Sequence, residues 1–204
     1  MNTIYLKKFG VHETGVAPYD GWTGNQNQNL YGKDLTRAIR QDLQKVLCEG
    51  ERPLKKSDIS IRQGRGGYTT SLYITVKTDR HGDIIATDEE IRERVIDSVR
   101  RGQRNWVGAT FNIYHDNYRA MSDEEQRQIE NDTADAVLAS IKGDININHY
   151  HLDKEEILSD YGKQVFKACE QVVDAYNSDH SDMMTDYFDR GIYDHYELRI
   201  KENR

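Results

Sequence analysis

Cysteine and proline are scarce in this chain, and long apolar runs are absent. Two cysteines, Cys48 and Cys169, and two prolines occur in 204 residues. Neither cysteine has a CxxC partner or a histidine at zinc-finger spacing, so the sequence argues against a disulfide framework and predicts buried, reduced thiols. No apolar run approaches the ~20 residues of a membrane helix, and the first residues lack the apolar core of a secretory signal. We therefore expect a cytoplasmic protein that does not enter a membrane.

Sequence fingerprints of common enzymes are also absent. The chain contains no Walker loop, no Rossmann fingerprint and no G-x-S-x-G elbow. The glycine-rich residues 64–67 join two predicted strands rather than a strand and a helix, so they predict a turn and not a phosphate cradle. The sequence therefore favours a function without catalysis, and it predicts neither a cofactor nor a bound metal ion.

Charge is distributed unevenly along the chain. Residues 1–110 hold 18 basic and 14 acidic side chains, a net charge of +4, whereas residues 111–204 hold 10 and 21, a net charge of −11. The total of −7 argues against tight nonspecific binding to duplex DNA. We predict a single domain, 1–204, with a basic half and an acidic half.

Hydrophobic periodicity predicts a helix followed by a β-hairpin in the basic half. Apolar residues recur at helical spacing from Asp34 to Leu47, and Gly50 and Pro53 end the run. Residues 58–63 and 69–77 alternate at period two around a glycine-rich turn, which is typical of a hairpin. The predicted core side chains of the hairpin are Ile59, Ile61, Leu72, Ile74 and Val76. The predicted outward side chains are Ser60, Arg62, Tyr73, Thr75 and Lys77.

The outer side and tip of this hairpin form a candidate nucleic-acid-binding surface. Its candidate residues are Arg62, Arg65, Tyr68, Tyr73 and Lys77. They combine cations that attract phosphates with rings that stack on bases. A solvated sheet face that uses tyrosine and threonine for their β-propensity explains the same residues, so both interpretations stay open.

The rest of the chain predicts further helices and strands. Capping boxes that begin at Thr87 and Ser122 open helices to about Arg101 and Lys142. The first of these helices carries a basic outer face, made of Arg92, Arg94, Arg100, Arg101 and Arg104. Strands are predicted at 3–9, 109–118, 144–152 and 192–200, a long loop at 10–32, and the longest helix at 153–176. We therefore predict an α+β fold in which a small, mainly antiparallel sheet is covered by three or four helices.

Two polar clusters allow an alternative interpretation as metal ligands. His149 and His151 would lie on one face of a strand, a spacing that holds a divalent cation if a third ligand comes from elsewhere. Two exposed histidines on an edge strand are the favoured explanation. A second cluster, made of Asp179, Asp182, Asp186 and Asp189, could hold Mg²⁺ as in a nuclease or could cap turns through backbone N–H groups.

The helix and the hairpin resemble the large polyvalent-protein-associated domains of phage and conjugative-element proteins. In that family a helix with an I-R-x-x-L core precedes a strand with an S-V-R-like motif and then a second strand. The matching residues here are Ile39, Arg40 and Leu43 in the helix, and Ser60, Ile61 and Arg62 in the strand. The usual end of the second strand is replaced by Val76, Lys77, Thr78 and Asp79.

An unusually acidic and aromatic segment runs from Asp174 to Glu197. It holds seven carboxylates and one base, Arg190, interleaved with aromatic rings. The rings distinguish it from a solvated acidic tail and predict an ordered segment. The segment resembles an ending that accompanies this domain class, and the matching residues are Tyr176, Asn177, Asp179, Ser181, Asp182, Thr185, Asp186, Tyr187, Phe188, Asp189 and Tyr193.

Several small CRISPR inhibitors of phages and conjugative elements look similar in size, charge and ending. The resemblance implies a mobile-element protein that inhibits a host defence nuclease in the host cytoplasm, with a type II CRISPR effector, possibly carrying its guide RNA, as partner. An acidic surface would occupy a groove built for phosphates. The candidate contact residues are Asp179, Asp182, Asp186, Tyr187 and Asp189. The alternatives are a metal-dependent nucleic-acid-processing enzyme and a structural module of a conjugation protein.

Overall fold

A computed structural model describes residues 30, 32–49, 52–64, 70–102, 118–176 and 192–201. Within these ranges the element order is α1 (Gly32–Cys48), β1 (Ile59–Gln63), β2 (Thr70–Thr78), α2 (Asp88–Arg100), α3 (Asp123–Ser140), β3 (Asp144–Ile147), α4 (Asp160–Asp174) and β4 (Ile192–Ile200). Short 3-10 helices cover Lys56–Asp58 and His149–Lys154. The predicted α+β fold, with a small sheet and covering helices, is confirmed.

The four strands form one sheet in the order β1-β2-β4-β3. The hairpin pairs β1 with β2 antiparallel, as predicted, with Ile61 opposite Ile74. The closing strand β4 enters the sheet between β2 and β3, parallel to β2 and antiparallel to β3. Strands that are far apart in the sequence therefore become neighbours at the centre of the sheet.

One face of the sheet forms the core with α1 and α4. The predicted core residues of the hairpin are all buried, from Ile59 at 5% exposed to Leu72 at 0%. On β4 the buried side chains alternate strictly, which is clearer than the partial alternation that the sequence suggested. The ring of Phe166 on α4 meets that of Tyr196 on β4 edge-on, with centroids 6.4 Å apart.

Both predicted capping boxes are confirmed. Thr87 and Glu90 exchange backbone and side-chain hydrogen bonds at the start of α2, and Ser122 and Glu125 do so at the start of α3. These bonds satisfy N–H groups that a helix start otherwise leaves unpaired. The helix α3 ends at Ser140, two residues before the predicted end, and Gly143 adopts a positive φ of 65° shortly afterwards.

The longest predicted helix begins later than expected. Residues 149–154 form a 3-10 helix instead, and α4 starts at Asp160 with Ser159 as its cap. Residues just before this start pair with the chain at 84–86 instead, since Ala86 N–H donates to the carbonyl of Ile157 and Ser159 N–H donates to that of Ile84. A Cβ atom on Gly162 would lie only 2.1 Å from the carbonyl oxygen of Ile84. The first turn of α4 therefore approaches the chain at Ile84 through a residue without a side chain.

Several predictions fall outside the described residues. These are the strand at 3–9, residues 109–117 of the strand predicted at 109–118, residues 10–29 and 31 of the loop predicted at 10–32, the tip of the hairpin at 65–69 and most of the acidic segment, 177–191. No helix in the described part of the chain is long and apolar enough to cross a membrane.

Candidate nucleic-acid interface

The second face of the sheet is polar and aromatic rather than apolar. Strand alternation and register place on it Arg62 from β1, Tyr73, Thr75 and Lys77 from β2, Asp144 and Asn146 from β3, and Tyr193, His195, Glu197 and Arg199 from β4. The side chain of Arg62 is 63% exposed, and His195 and Tyr193 are also exposed. We call this surface the open face.

Three side chains from three adjacent strands form a column on the open face. The guanidinium carbon of Arg62 lies 4.3 Å from the ring centroid of Tyr73. The rings of Tyr73 and His195 stack with centroids 4.7 Å apart and an interplanar angle of 19°. The order of the column is therefore cation, phenol, imidazole, which combines a cation–π contact with an aromatic stack.

The centroid separation shows how the rings stand. Neighbouring strands lie ~4.8 Å apart, so two rings separated by 4.7 Å stand upright from the sheet and face each other across the strands. One face of the Tyr73 ring meets Arg62 and the other meets His195. Among the described residues no ring or cation covers the second face of His195, which is directed towards β3. The column therefore ends in an exposed aromatic surface.

Glu197 connects the column to the centre of the open face. Its Oε1 atom accepts a hydrogen bond of 3.2 Å from Nη2 of Arg62, and its Oε2 atom accepts one of 3.0 Å from the Thr75 hydroxyl. These bonds hold Arg62 over Tyr73. They also help to explain why Thr75, predicted to be exposed, is only 2% exposed: it is a short side chain in a central strand, covered by longer neighbours.

A second row of charges crosses the open face beyond Glu197. Arg199 binds Asp144 with two hydrogen bonds, of 2.5 and 2.7 Å. The hydrogen bonds from Arg199 lower the pKa of Asp144 below its usual value. Lys77, the register partner of Arg199, is half-buried and makes no ion pair with another described side chain. Lys77 is therefore the cation of this row that is available to a phosphate.

The structure brings some predicted site residues together and leaves others undescribed. Arg62, Tyr73 and Lys77 share the open face, as the hairpin pattern predicted. Arg65 and Tyr68 lie outside the described residues. The acidic candidates Asp179, Asp182, Asp186, Tyr187 and Asp189 also lie outside them, so their role stays a prediction.

Two carboxylates of the acidic segment do not contribute to a free acidic surface. Asp194 faces the core, where its side chain is 2% exposed and its Oδ2 atom lies 3.6 Å from Nε2 of His149. Glu197 is bound to Arg62 and Thr75. Burial, and secondly the charge of Asp194, raise the pKa of Tyr196 well above its usual value. Asp194 therefore belongs to the buried core and Glu197 to a set of bonded side chains on the open face.

The histidine pair does not have the arrangement that the sequence suggested. His149 and His151 belong to a 3-10 helix rather than a strand, and His149 is buried whereas His151 is exposed. The two imidazoles therefore do not share a strand face. In the described ranges no group of three or more histidine, cysteine or acidic side chains could hold a metal ion.

The predicted basic face of α2 is largely neutralised by carboxylates. Arg92 binds Asp135, and Arg101 binds Asp97. Arg100 donates two hydrogen bonds, of 2.7 and 2.8 Å, to Glu130. Because their charge is matched by nearby carboxylates, these arginines are a poorer phosphate site than the open face.

Sequence reasoning missed His195, Glu197 and Arg199 as members of the surface. Their alternation on β4 was visible, but the hairpin pattern gave no sign that β4 would pair with β2. Only the register, in which His195 lies beside Tyr73, reveals the column.

Comparison of the chain with protein-family models, curated proteins and solved structures found no match in any of the three.

Proposed function

We propose that the open face binds single-stranded nucleic acid and that an unpaired base stacks on the exposed side of His195. The column of Arg62, Tyr73 and His195 is the observation that carries this proposal. Proteins that bind single strands commonly combine aromatic stacking surfaces with cations that contact the backbone. A stacked base would extend the column by one layer towards β3.

The charges of the open face favour single strands over duplexes. Arg62, Lys77 and Arg199 supply positive charge, but Glu197 and Asp144 offset most of it. Binding that depends on many phosphate contacts needs a stronger positive potential than this. Among the described residues, this face holds one cation without an ion pair, Lys77, and an uncovered ring surface at the end of the column, that of His195, which suits an unstacked base and its adjacent phosphate.

Inhibition of a host defence nuclease remains a proposal from the sequence resemblance. Its acidic contact residues, Asp179 to Asp189, lie outside the described residues. A type II effector that carries a guide RNA would present both a basic groove and RNA, so RNA binding by the open face is compatible with that proposal.

The test is fluorescence anisotropy with short, labelled single-stranded RNA and DNA and with a duplex of the same sequence. We expect the double variant Tyr73→Ala with His195→Ala to lose about 5- to 150-fold in affinity, because stacking is worth ~1–3 kcal/mol per base. The single variant His195→Ala should lose less, since it exposes the Tyr73 ring. His195→Phe should retain binding.

Tyr150→Ala is the matched control, because Tyr150 is 63% exposed and lies in the 3-10 helix after β3, where its ring contacts that of His149 and not the column. It should bind as the unmodified protein does. A folded double variant with unchanged affinity would remove the column from the interface. If the unmodified protein bound no single strand but captured a type II effector, the hypothesis of a nuclease inhibitor would replace this proposal.

A further inference from the structure

Tyr193 is an exposed ring of the open face that does not belong to the column. It is 37% exposed. It lies two residues before His195 on the same face of β4, so about 7 Å separates their Cα atoms at ~3.3 Å per residue. In the described part of the chain no ring or cation stacks on Tyr193, and no group hydrogen-bonds with its hydroxyl. The ring is therefore available to a ligand.

The strands on both sides of Tyr193 leave its ring uncovered. On β2 its register partner is Ser71, which has a short side chain. On the other side, β3 ends at Ile147, the partner of Tyr196, and the chain continues as a 3-10 helix. Neither neighbouring strand thus supplies a large side chain opposite this ring. Single exposed tyrosines are common on strands, but this one lies beside the open end of a stacking column.

Resting on the proposed function, we propose that Tyr193 is a second stacking surface, so that the open face holds two consecutive bases, one on His195 and the next on Tyr193. Four-stranded sheets that bind single-stranded RNA stack two or three bases on exposed rings in this way. Such stacking tolerates any base, because every base has a π-face. The ligand class is therefore a single strand with at least two adjacent unpaired bases.

The available cation of the open face lies on the same line as the two rings. Lys77 pairs in register with Arg199, four residues beyond His195 on β4 and on the side away from Tyr193. At ~3.3 Å per residue this is about 13 Å along the strand. A nucleic-acid backbone that continues past the base on His195 therefore runs towards Lys77. The rings and the cation together mark one path along β4.

The experiment compares a short, labelled oligouridine with the same oligomer in which every second base is replaced by an abasic site, again by fluorescence anisotropy. Both carry the same phosphates, but the second never offers two consecutive bases. We expect the unmodified protein to bind the complete oligomer about 5- to 150-fold more tightly, which corresponds to ~1–3 kcal/mol for stacking one base. Tyr193→Ala should remove this difference, whereas Tyr193→Phe, which retains a ring, should keep it.

The outcomes separate this inference from the proposed function. Tyr150→Ala again serves as the control and should keep the difference between the oligomers. Equal binding of the two oligomers by the unmodified protein, or an undiminished difference in a folded Tyr193→Ala variant, would overturn the second surface and leave stacking on His195 in place. If neither oligomer bound, the proposed function would fail and the second surface with it. Circular dichroism of each variant establishes that the sheet is intact.

Discussion

Nε2 of His149 lies 3.6 Å from Oδ2 of Asp194, and the side chains of both residues are buried, at 8% and 2% exposure. The pair joins the 3-10 helix after β3 to the central strand β4 from beneath the sheet. The His149 ring also contacts that of Tyr196, with centroids 4.7 Å apart. Neither carboxylate oxygen of Asp194 accepts a hydrogen bond from the described residues, so the nearby imidazole offsets the buried charge of Asp194 only when His149 is protonated.

Removal of Asp194 should destabilise the fold strongly. Asp194→Ala leaves His149 without this carboxylate and creates a cavity, so we expect a loss of about 3–5 kcal/mol in the free energy of unfolding, measured by urea denaturation. Asp34→Ala is the control, because its side chain is 67% exposed and pairs with Arg37 on the surface. The control should cost less than about 1 kcal/mol. Equal losses in the two variants would contradict a structural role for the buried pair.

Glu156 should make the protein less stable as the pH rises. Burial, partly offset by Ser98, raises the pKa of this carboxyl from 4.5 to about 7. Its charged neighbours are Glu155, Arg94 and Lys163. The folded-state pKa lies above the unfolded value. The free energy of unfolding therefore falls as the pH rises from 4.5 to about 7, and above that pH the loss stays constant.

We therefore expect Glu156→Gln to raise the free energy of unfolding at about pH 8 and to change it little near pH 4.5. Urea denaturation at both pH values measures the difference. Glu93→Gln, at an exposed position of α2, should be neutral at both. A Glu156→Gln variant with the full pH dependence of the unmodified protein would show that other groups cause it.

Tyr118 should contribute to stability through Glu130. Its hydroxyl donates a hydrogen bond of 2.6 Å to Glu130, a buried carboxylate that also binds Arg100. The hydrogen bonds from Arg100, despite burial, lower the pKa of Glu130. Tyr118→Phe removes a hydrogen bond to a charged group and should cost about 1.5–3 kcal/mol in thermal or urea unfolding. Tyr193→Phe, at an exposed ring of β4, should cost almost nothing, and a similar cost in both would refute the assignment.

Lys77 should contribute to the salt dependence of nucleic-acid binding. If it contacts one phosphate, Lys77→Ala should reduce the slope of log affinity against log salt by ~0.7, the value for one contact with a single strand. The slope is measured by repeating the anisotropy titrations across a range of salt concentrations. Lys142→Ala changes an exposed lysine after α3 and should leave the slope unchanged. An unchanged slope in Lys77→Ala would place the phosphate elsewhere.

The inhibitor hypothesis makes its own prediction. Asp182→Lys combined with Asp186→Lys should abolish inhibition of a type II effector because the reversed charges would repel its basic groove. Circular dichroism and a melting curve should show an unchanged fold. Inhibition should titrate to a fixed ratio with the target and should not respond to EDTA. Loss of the fold would identify these residues as structural caps, and catalytic cleavage of nucleic acid that stops on chelation would favour the nuclease alternative.

The amino-acid sequence by itself determined the local elements and the buried side of the hairpin. Thr87 and Ser122 start helices because their side chains satisfy nearby backbone N–H groups, a property that a few adjacent residues decide. Ile59 and Leu72 lie in the core because alternation at period two separates the two faces of a strand. These signals are local, so they could be read without knowledge of the fold.

Only the tertiary structure decided which strands are neighbours, and the candidate site depends on that choice. The parallel pairing of β2 with β4 places Tyr73 beside His195 and Thr75 beside Glu197, although more than 100 residues separate each pair in the sequence. The same pairing buries Thr75 and Asp194, which composition alone would leave at the surface. Strand order follows from how α1 and α4 pack on the whole sheet, and such long-range packing leaves no periodic signal in any one segment.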